Sequence, residues 1–168
     1  MMETVYLEAV QLVERTHRAF LDMLKRELDS QQIYDINNVQ ATTLFNIGEA
    51  EMTAAELIYR GCYLGSNVSY NLKKMVENGY IEQRRSKHDA RSNRVRLSAK
   101  GLQLRERLNA VHRRYTNMLP DIGVTDHDLG KAIASLRSLE RVWAEGGRVD
   151  GEPPGFVGRP AAVAGNRR

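Results

Sequence analysis

The chain has 168 residues, 42% hydrophobic and 27% charged, with a mean hydropathy of −0.50. That is room for one domain with a real core and too little for two full ones. No apolar run nears the roughly 20 residues that span a bilayer, one cysteine excludes an internal disulfide, and no His/Cys pair has zinc-site spacing. The net charge of +4 is unevenly placed: Arg84 to Gly101 holds seven Lys or Arg against one acid, a local +6, so the other residues sum to −2. The N-terminal stretch mixes charges into its apolar positions, unlike a signal peptide. A cytoplasmic protein is expected, with no cofactor, no metal and no membrane partner.

From Thr4 to about Asp29 apolar side chains recur at Val5, Ala9, Leu12, Val13, Phe20, Met23 and Leu24, with a second line through Val10, His17, Leu21, Leu24 and Leu28. The spacing predicts one long helix. A stripe this wide needs packing partners on more than one side, and a second subunit is a natural supplier. Asn37 and Gln40 then have capping-box spacing, with Val39, Leu44, Phe45 and Ile47 on the buried side of a short helix that stops at Gly48. Thr53 and Glu56 form another capping box, opening a helix that closes at Gly61. In "GSNVSYNLKKMVENG", Ser66 is the expected N-cap, Val68, Leu72 and Met75 the inner face, and Gly79 the stop. Two short helices joined by a brief turn have helix-turn-helix spacing.

The period then changes to two. "YIEQRRS" and "RVRLS" alternate apolar and polar residues around "KHDARSN", with Ile81, Val95 and Leu97 inward: a β-hairpin with a polar tip. A basic hairpin directly after a helix-turn-helix is a wing, which explains the charge cluster, since phosphates flanking a DNA groove are its natural partners. A long helix from about Ser98 to Leu119 is expected to present Leu102, Leu108, Val111 or His112, Tyr115 and Leu119 on one side. Thr125 and Asp128 cap a last helix with Leu129, Ile133, Leu136, Leu139 and Trp143 as its apolar positions. From Gly146 onward the chain holds three of its four prolines and six of its 13 glycines, a composition that predicts a flexible tail. The fold class is mainly α with a small β-wing. Residues 37–97 form a winged helix-turn-helix DNA-binding domain, 1–30 and 98–145 a helical dimerisation region, and 146–168 the tail.

This order of elements resembles the MarR family of bacterial winged-helix regulators, over about Val5 to Trp143. The residues that carry the resemblance are "GSNVSYNLKKMVENGYIEQRRSKHDARSNRVRLSAKG". They include the pair Gly79 and Tyr80 before Ile81, the wing pattern Asp89, Arg91, Arg94, and the exit Leu97, Ser98, Gly101. Residues 63–70, "YLGSNVSY", look like the LdtR-type branch of that family.

A helix fits the major groove and reads base edges from its N-terminal side chains. Ser66, Asn67, Ser69, Tyr70 and Asn71 lie off the apolar face and are the candidate base readers. Lys73 and Lys74 suit the phosphate backbone. In the wing the candidates are Arg84, Arg85, Lys87, Arg91, Arg94 and Arg96. Arg91 at the tip is placed for a narrow minor groove, with Asp89 orienting it. The resemblance further implies a homodimer on a pseudo-palindromic operator in double-stranded DNA, and a small aromatic or phenolic effector in a crevice lined by His17, Phe20, Thr43, Tyr59 and Tyr63. His17 is expected to be partly buried where the first helix crosses the winged domain. Hydroperoxide-sensing members of the family keep a cysteine near the start of the first helix. Here the cysteine is Cys62, and an inert buried thiol is expected.

No nucleophile triad or phosphate-binding glycine loop is present, so an enzyme is not expected. The expected function is a ligand-released transcriptional repressor. The alternatives are an RNA-binding protein, which the absence of an aromatic residue in the basic hairpin argues against, and an architectural DNA binder without sequence preference.

Overall fold

A computed structural model describes residues 1–48, 51–53, 55–57, 65–85 and 93–146, with the backbone alone at residues 65–67, 85 and 93. The chain divides into two compact units, Met1–Arg114 and Tyr115–Arg168.

The first unit opens with α1, Met2–Ser30. Its only buried residues are Leu24 and Leu28, near the C-terminal end, while Phe20, Met23 and Ile33 pack partly against the core. The helix stops without a glycine. Gln32 takes a positive φ of 56°, and the Ile33 and Gln32 N–H groups close back onto the Leu28 and Asp29 carbonyls, satisfying acceptors that the helix end leaves open. Helix α2, Asn38–Ile47, has the expected capping box: Asn37 accepts from the Gln40 N–H and the Gln40 side chain accepts from the Asn37 N–H. It buries Gln40, Ala41, Thr43, Leu44 and Ile47, whereas Val39 and Phe45 are only half-buried. Gly48 follows at φ 67°.

A short strand absent from the sequence reading, β1 (Met52–Thr53), pairs with a later strand. Thr53 also caps the helical turn at residues 55–57, donating its N–H to Glu56 and accepting from the Glu56 N–H, and Leu57 is fully buried. Helix α3, Gly65–Glu77, buries Val68, Leu72 and Met75 as its spacing predicts. It already includes Gly65, so Ser66 lies inside its first turn and is not the N-cap. At its other end Gly79, at φ 77°, donates to Val76 while Tyr80 donates to Met75. That is a Schellman stop, which requires the left-handed conformation glycine adopts without strain.

Strands β2 (Ile81–Arg85) and β3 (Asn93–Leu97) form the wing, with Ile81 opposite Leu97 and Glu82 opposite Arg96. The sheet order is β1-β3-β2, so β3 is flanked on both sides. Ile81, Val95 and Leu97 point into the core that α1, α2, α3 and the next helix share, each such side chain contributing about 1.5–3 kcal/mol by leaving water. Helix α4, Ala99–Met118, buries Gly101, Leu104, Leu108 and Val111. The expected face was displaced by part of a turn: Leu102 and Tyr115 are exposed and Leu104 lies inside, because the contact at Gly101 sets the rotation of the helix. The ends of α1 and α4 nearest the winged domain bury Leu24, Leu28, Leu104 and Leu108 in its core.

In the second unit, a 3-10 turn at Pro120–Ile122 ends at Gly123, φ 77°. Thr125 and Asp128 cap α5, Asp126–Gly146, reciprocally. No residue of α5 is buried, and Leu129, Ile133, Leu136, Val142 and Trp143 are all exposed. The tail expected beyond Gly146 lies outside the described residues.

Among the described glycines Gly101 makes the tightest backbone approach: a Cβ there would overlap the carbonyl oxygen of Tyr80. Gly101→Ala is therefore expected to cost about 1–3 kcal/mol through overpacking, despite a helix propensity that favours alanine by about 1 kcal/mol. A urea midpoint equal to or above that of the parent would contradict this.

Candidate nucleic-acid interface

The wing's outward face follows from the register. Side chains alternate along a strand, so the rungs Glu82–Arg96 and Arg84–Arg94 share the face opposite Ile81, Val95 and Leu97. Three arginines and one carboxylate therefore share that face, and two of the arginines reach the carboxylate. Arg96 donates two hydrogen bonds to Glu82 Oε2, from Nε at 2.9 Å and Nη2 at 2.6 Å, and Arg84 Nη2 lies 3.6 Å from the same oxygen. The hydrogen bonds and charge of Arg96 hold the Glu82 carboxyl below its ordinary value. Arg84 and Arg94 face each other directly and both are exposed. Like charges on opposite positions are unfavourable, and an anionic partner reverses the sign of that term. The Arg85 side chain, and all of Lys87, Asp89 and Arg91, lie outside the described residues.

On α3, Ser69 and Tyr70 are exposed, Tyr70 at 61%. Lys73 and Lys74 both turn to Glu77, at 3.9 and 2.8 Å. The hydrogen bond and charge of Lys74 lower the Glu77 carboxyl and raise the lysine in turn. Asn71 is half-buried and its Oδ1 accepts from Gln40 Nε2 at 3.2 Å, so part of its amide serves the packing of α3 on α2. The side chains of Ser66 and Asn67 lie outside the described residues.

Of the residues expected to hold an effector, His17, Phe20 and Thr43 are among the described residues. His17 is exposed, a correction to its expected partial burial: α1 enters the core only from about Phe20 onward. Phe20 stacks on His112 with centroids 6.0 Å apart, and Phe45 meets the same imidazole edge-on at 4.9 Å. Thr43 is buried and its hydroxyl donates to the Val39 carbonyl. Tyr59, Cys62 and Tyr63 lie outside the described residues. A cavity of about 410 Å³ lies between the end of α1, the α1–α2 connection and the outer side of α3, with Lys25, Asp29, Tyr34, Asp35, Tyr70, Lys74 and Asn78 in its wall. Among the described residues no group of three His, Cys, Asp or Glu is arranged to hold a metal, and no helix is long and apolar enough to cross a membrane.

One cluster escaped the sequence reading. Asp35 Oδ1 accepts from the Tyr80 hydroxyl at 2.6 Å and Oδ2 from Lys100 Nζ at 2.5 Å. Lys100 also donates to the Asn78 carbonyl at 2.9 Å and lies 4.1 Å from the centroid of the Tyr80 ring. Asn78 Nδ2 donates to the Asp35 carbonyl. Burial opposes the charge on Asp35, yet the bonds from Lys100 and Tyr80 outweigh it and hold the carboxyl below its ordinary value. Burial and the facing carboxylate push the Tyr80 hydroxyl up, keeping it a donor. These residues are 45 and 65 positions from Asp35, so no local pattern announces the cluster.

A family model described as a winged helix DNA-binding domain matches residues 36–101. The exopolysaccharide II synthesis transcriptional activator ExpG of Rhizobium meliloti is 39% identical over 143 residues, which cover 85% of this chain and 74% of that protein. The chain belongs to the MarR family of winged-helix transcriptional regulators. Among solved structures, Streptococcus pneumoniae FabT in complex with DNA matches with a TM-score of 0.68 at 20% identity, over 83% of this chain and 98% of that one. Staphylococcus aureus MarR in complex with salicylate and kanamycin matches with a TM-score of 0.68 at 18% identity, over 86% and 95%. The MarR-family chain is a DNA-binding regulator and not an enzyme.

Glu82 neutralises part of the wing. Glu82→Gln is expected to tighten binding to every duplex and to steepen the dependence of log K on log salt by up to about 0.9 for one additional phosphate contact, with little effect on stability because the pair is exposed. Filter binding across a salt series checks both slopes, and an unchanged slope with unchanged affinity would take this face out of the interface.

Proposed function

We propose that this MarR-family regulator acts as a homodimer on a pseudo-palindromic operator, with α3 of each copy in a major groove and each wing along the adjacent backbone. The observation that carries the DNA contact is the exposed Arg84–Arg94 rung of the wing together with the exposed Ser69/Tyr70 face of α3 in the same compact unit. The α3 face supplies base-edge readers and the wing arginines supply phosphate partners. Binding across the core promoter represses. The identity to an activator from Rhizobium meliloti favours a second reading, activation from an operator upstream of the promoter. A promoter reporter with the operator moved between the two positions separates them.

Dimerisation is supported by apolar surface in each unit. Val5, Leu7 and Leu12 are exposed on α1, and Leu129, Ile133, Leu136 and Trp143 on α5. Stripes of this kind on long helices mark interfaces. A chain ending at Gly146 is expected to sediment as a dimer at micromolar concentration, and a folded, monodisperse monomer would refute it.

The effector is a small aromatic or phenolic molecule, a reading supported by the Phe20–His112–Phe45 ring cluster and by the salicylate in the S. aureus relative. Selection from a random duplex library should yield half-sites about one helical turn, roughly 34 Å, apart. On the selected duplex, Arg91→Ala is expected to weaken binding, with the loss confined to A·T-rich flanks if Arg91 reads minor-groove width. Salicylate should release the complex from wild type and Cys62→Ser alike. Recovery of no consensus sequence would leave only the architectural binder.

A further inference from the structure

We propose that Asp35 is a positioning residue for DNA recognition, fixing the angle between the recognition helix α3 and the wing although it belongs to neither. The inference rests on the DNA-binding reading above. Only Asn78, Gly79 and Tyr80 join α3 to β2, and Gly79, at φ 77°, is the residue of the three with the widest backbone freedom. That makes the junction a hinge by its chemistry. Asp35 and Lys100 grip both sides of it. Before the hinge, the Asn78 carbonyl accepts from Lys100 and the Asn78 side-chain amide donates to the Asp35 carbonyl. After it, Tyr80 gives its hydroxyl to the Asp35 carboxylate and its ring face to the Lys100 ammonium. The Lys100–Asp35 pair closes the circuit, anchoring it on α4 at one end and on the α1–α2 connection at the other.

A helix in one groove and a wing along the next act as two linked contacts. Their joint affinity depends on whether one geometry satisfies both. A loosened hinge leaves each contact intact and removes the preorganisation between them. The selected sequence then loses its advantage over other duplexes. Charge makes the opposite prediction: Asp35→Asn deletes a negative charge from a DNA-binding unit, so Coulomb attraction alone would tighten binding everywhere.

The test measures the full-length chain against a library-selected duplex and a scrambled one over a salt series. Asp35→Asn is expected to lower the selected-to-scrambled affinity ratio about tenfold, the scale of an ordinary coupling between sites, with the salt slope unchanged. Tyr80→Phe, which removes only the hydroxyl, should lower the ratio by less. Lys100→Met should lower it without shallowing the slope, and Lys100→Arg should retain it. A wild-type ratio with Asp35→Asn, at equal or tighter affinity for both duplexes, overturns the proposal while leaving DNA recognition standing. So does a Lys100→Met slope shallower by about 0.9 at constant ratio, which makes Lys100 a phosphate contact. If Asp35→Asn does not fold, as circular dichroism would show, Tyr80→Phe and Lys100→Met decide the matter. A wild-type ratio of one removes the underlying reading together with the proposal.

Discussion

The first turn of α4 rests on the backbone of Tyr80, and α3 and the wing take their positions from that contact. Ser98 donates its N–H to the Tyr80 carbonyl and its hydroxyl to the Gly79 carbonyl, and the same hydroxyl accepts from the Gly101 N–H as a helix cap. Gly101 is present because no Cβ fits above that carbonyl. One short segment thus ends the wing, starts α4 and receives the stop of α3. The rotation of α4 that puts Leu104 and Leu108 into the core, and leaves Leu102 outside, follows from this seat.

The core and the charged outer face of the unit divide along the pleat of a single sheet. One face of β2 and β3 supplies Ile81, Val95 and Leu97 to the packing, and the other carries Glu82, Arg84, Arg94 and Arg96. A one-residue slip would exchange the two faces, so the hydrophobic effect that fixes the register also aims the arginines. β1 adds to this control. By pairing Met52 with Val95 it holds β3 from the side away from β2, and it joins the strand to the turn that Thr53 and Glu56 cap.

Polar groups inside the unit are spent on geometry. Gln40, 5% exposed, caps α2 through its carbonyl and binds Asn71 through its amide, joining the first helix of the winged domain to the recognition helix. Glu27 and Arg114 link α1 to α4. Asp35 and Lys100 span the glycine junction. Unpaired, the buried amide of Gln40 would cost more than its bonds return, whereas the exposed Asp35–Lys100 pair and the Glu27–Arg114 pair act by joining elements. Paired across elements, they exclude alternative packings.

The sequence by itself determined what short-range chemistry controls. Capping boxes at Asn37/Gln40, Thr53/Glu56 and Thr125/Asp128, the inner face Val68, Leu72, Met75, the stop at Gly79 and the period-two strands of the wing are all contained within a few neighbouring residues, and each appears where the spacing puts it. The charge excess in the wing was legible for the same reason. It did not disclose β1, whose two residues carry no period; the end of α1, where Gln32 does a glycine's task; the face of α4; or the exposure of His17. Nor could it unite Asp35 with Tyr80 and Lys100. Those outcomes depend on which surfaces meet after the chain has turned back on itself. A hydrogen bond between residues 45 or 65 positions apart leaves no trace in local periodicity, because it is the packing of α1, α3 and α4 on one core that brings its partners within reach.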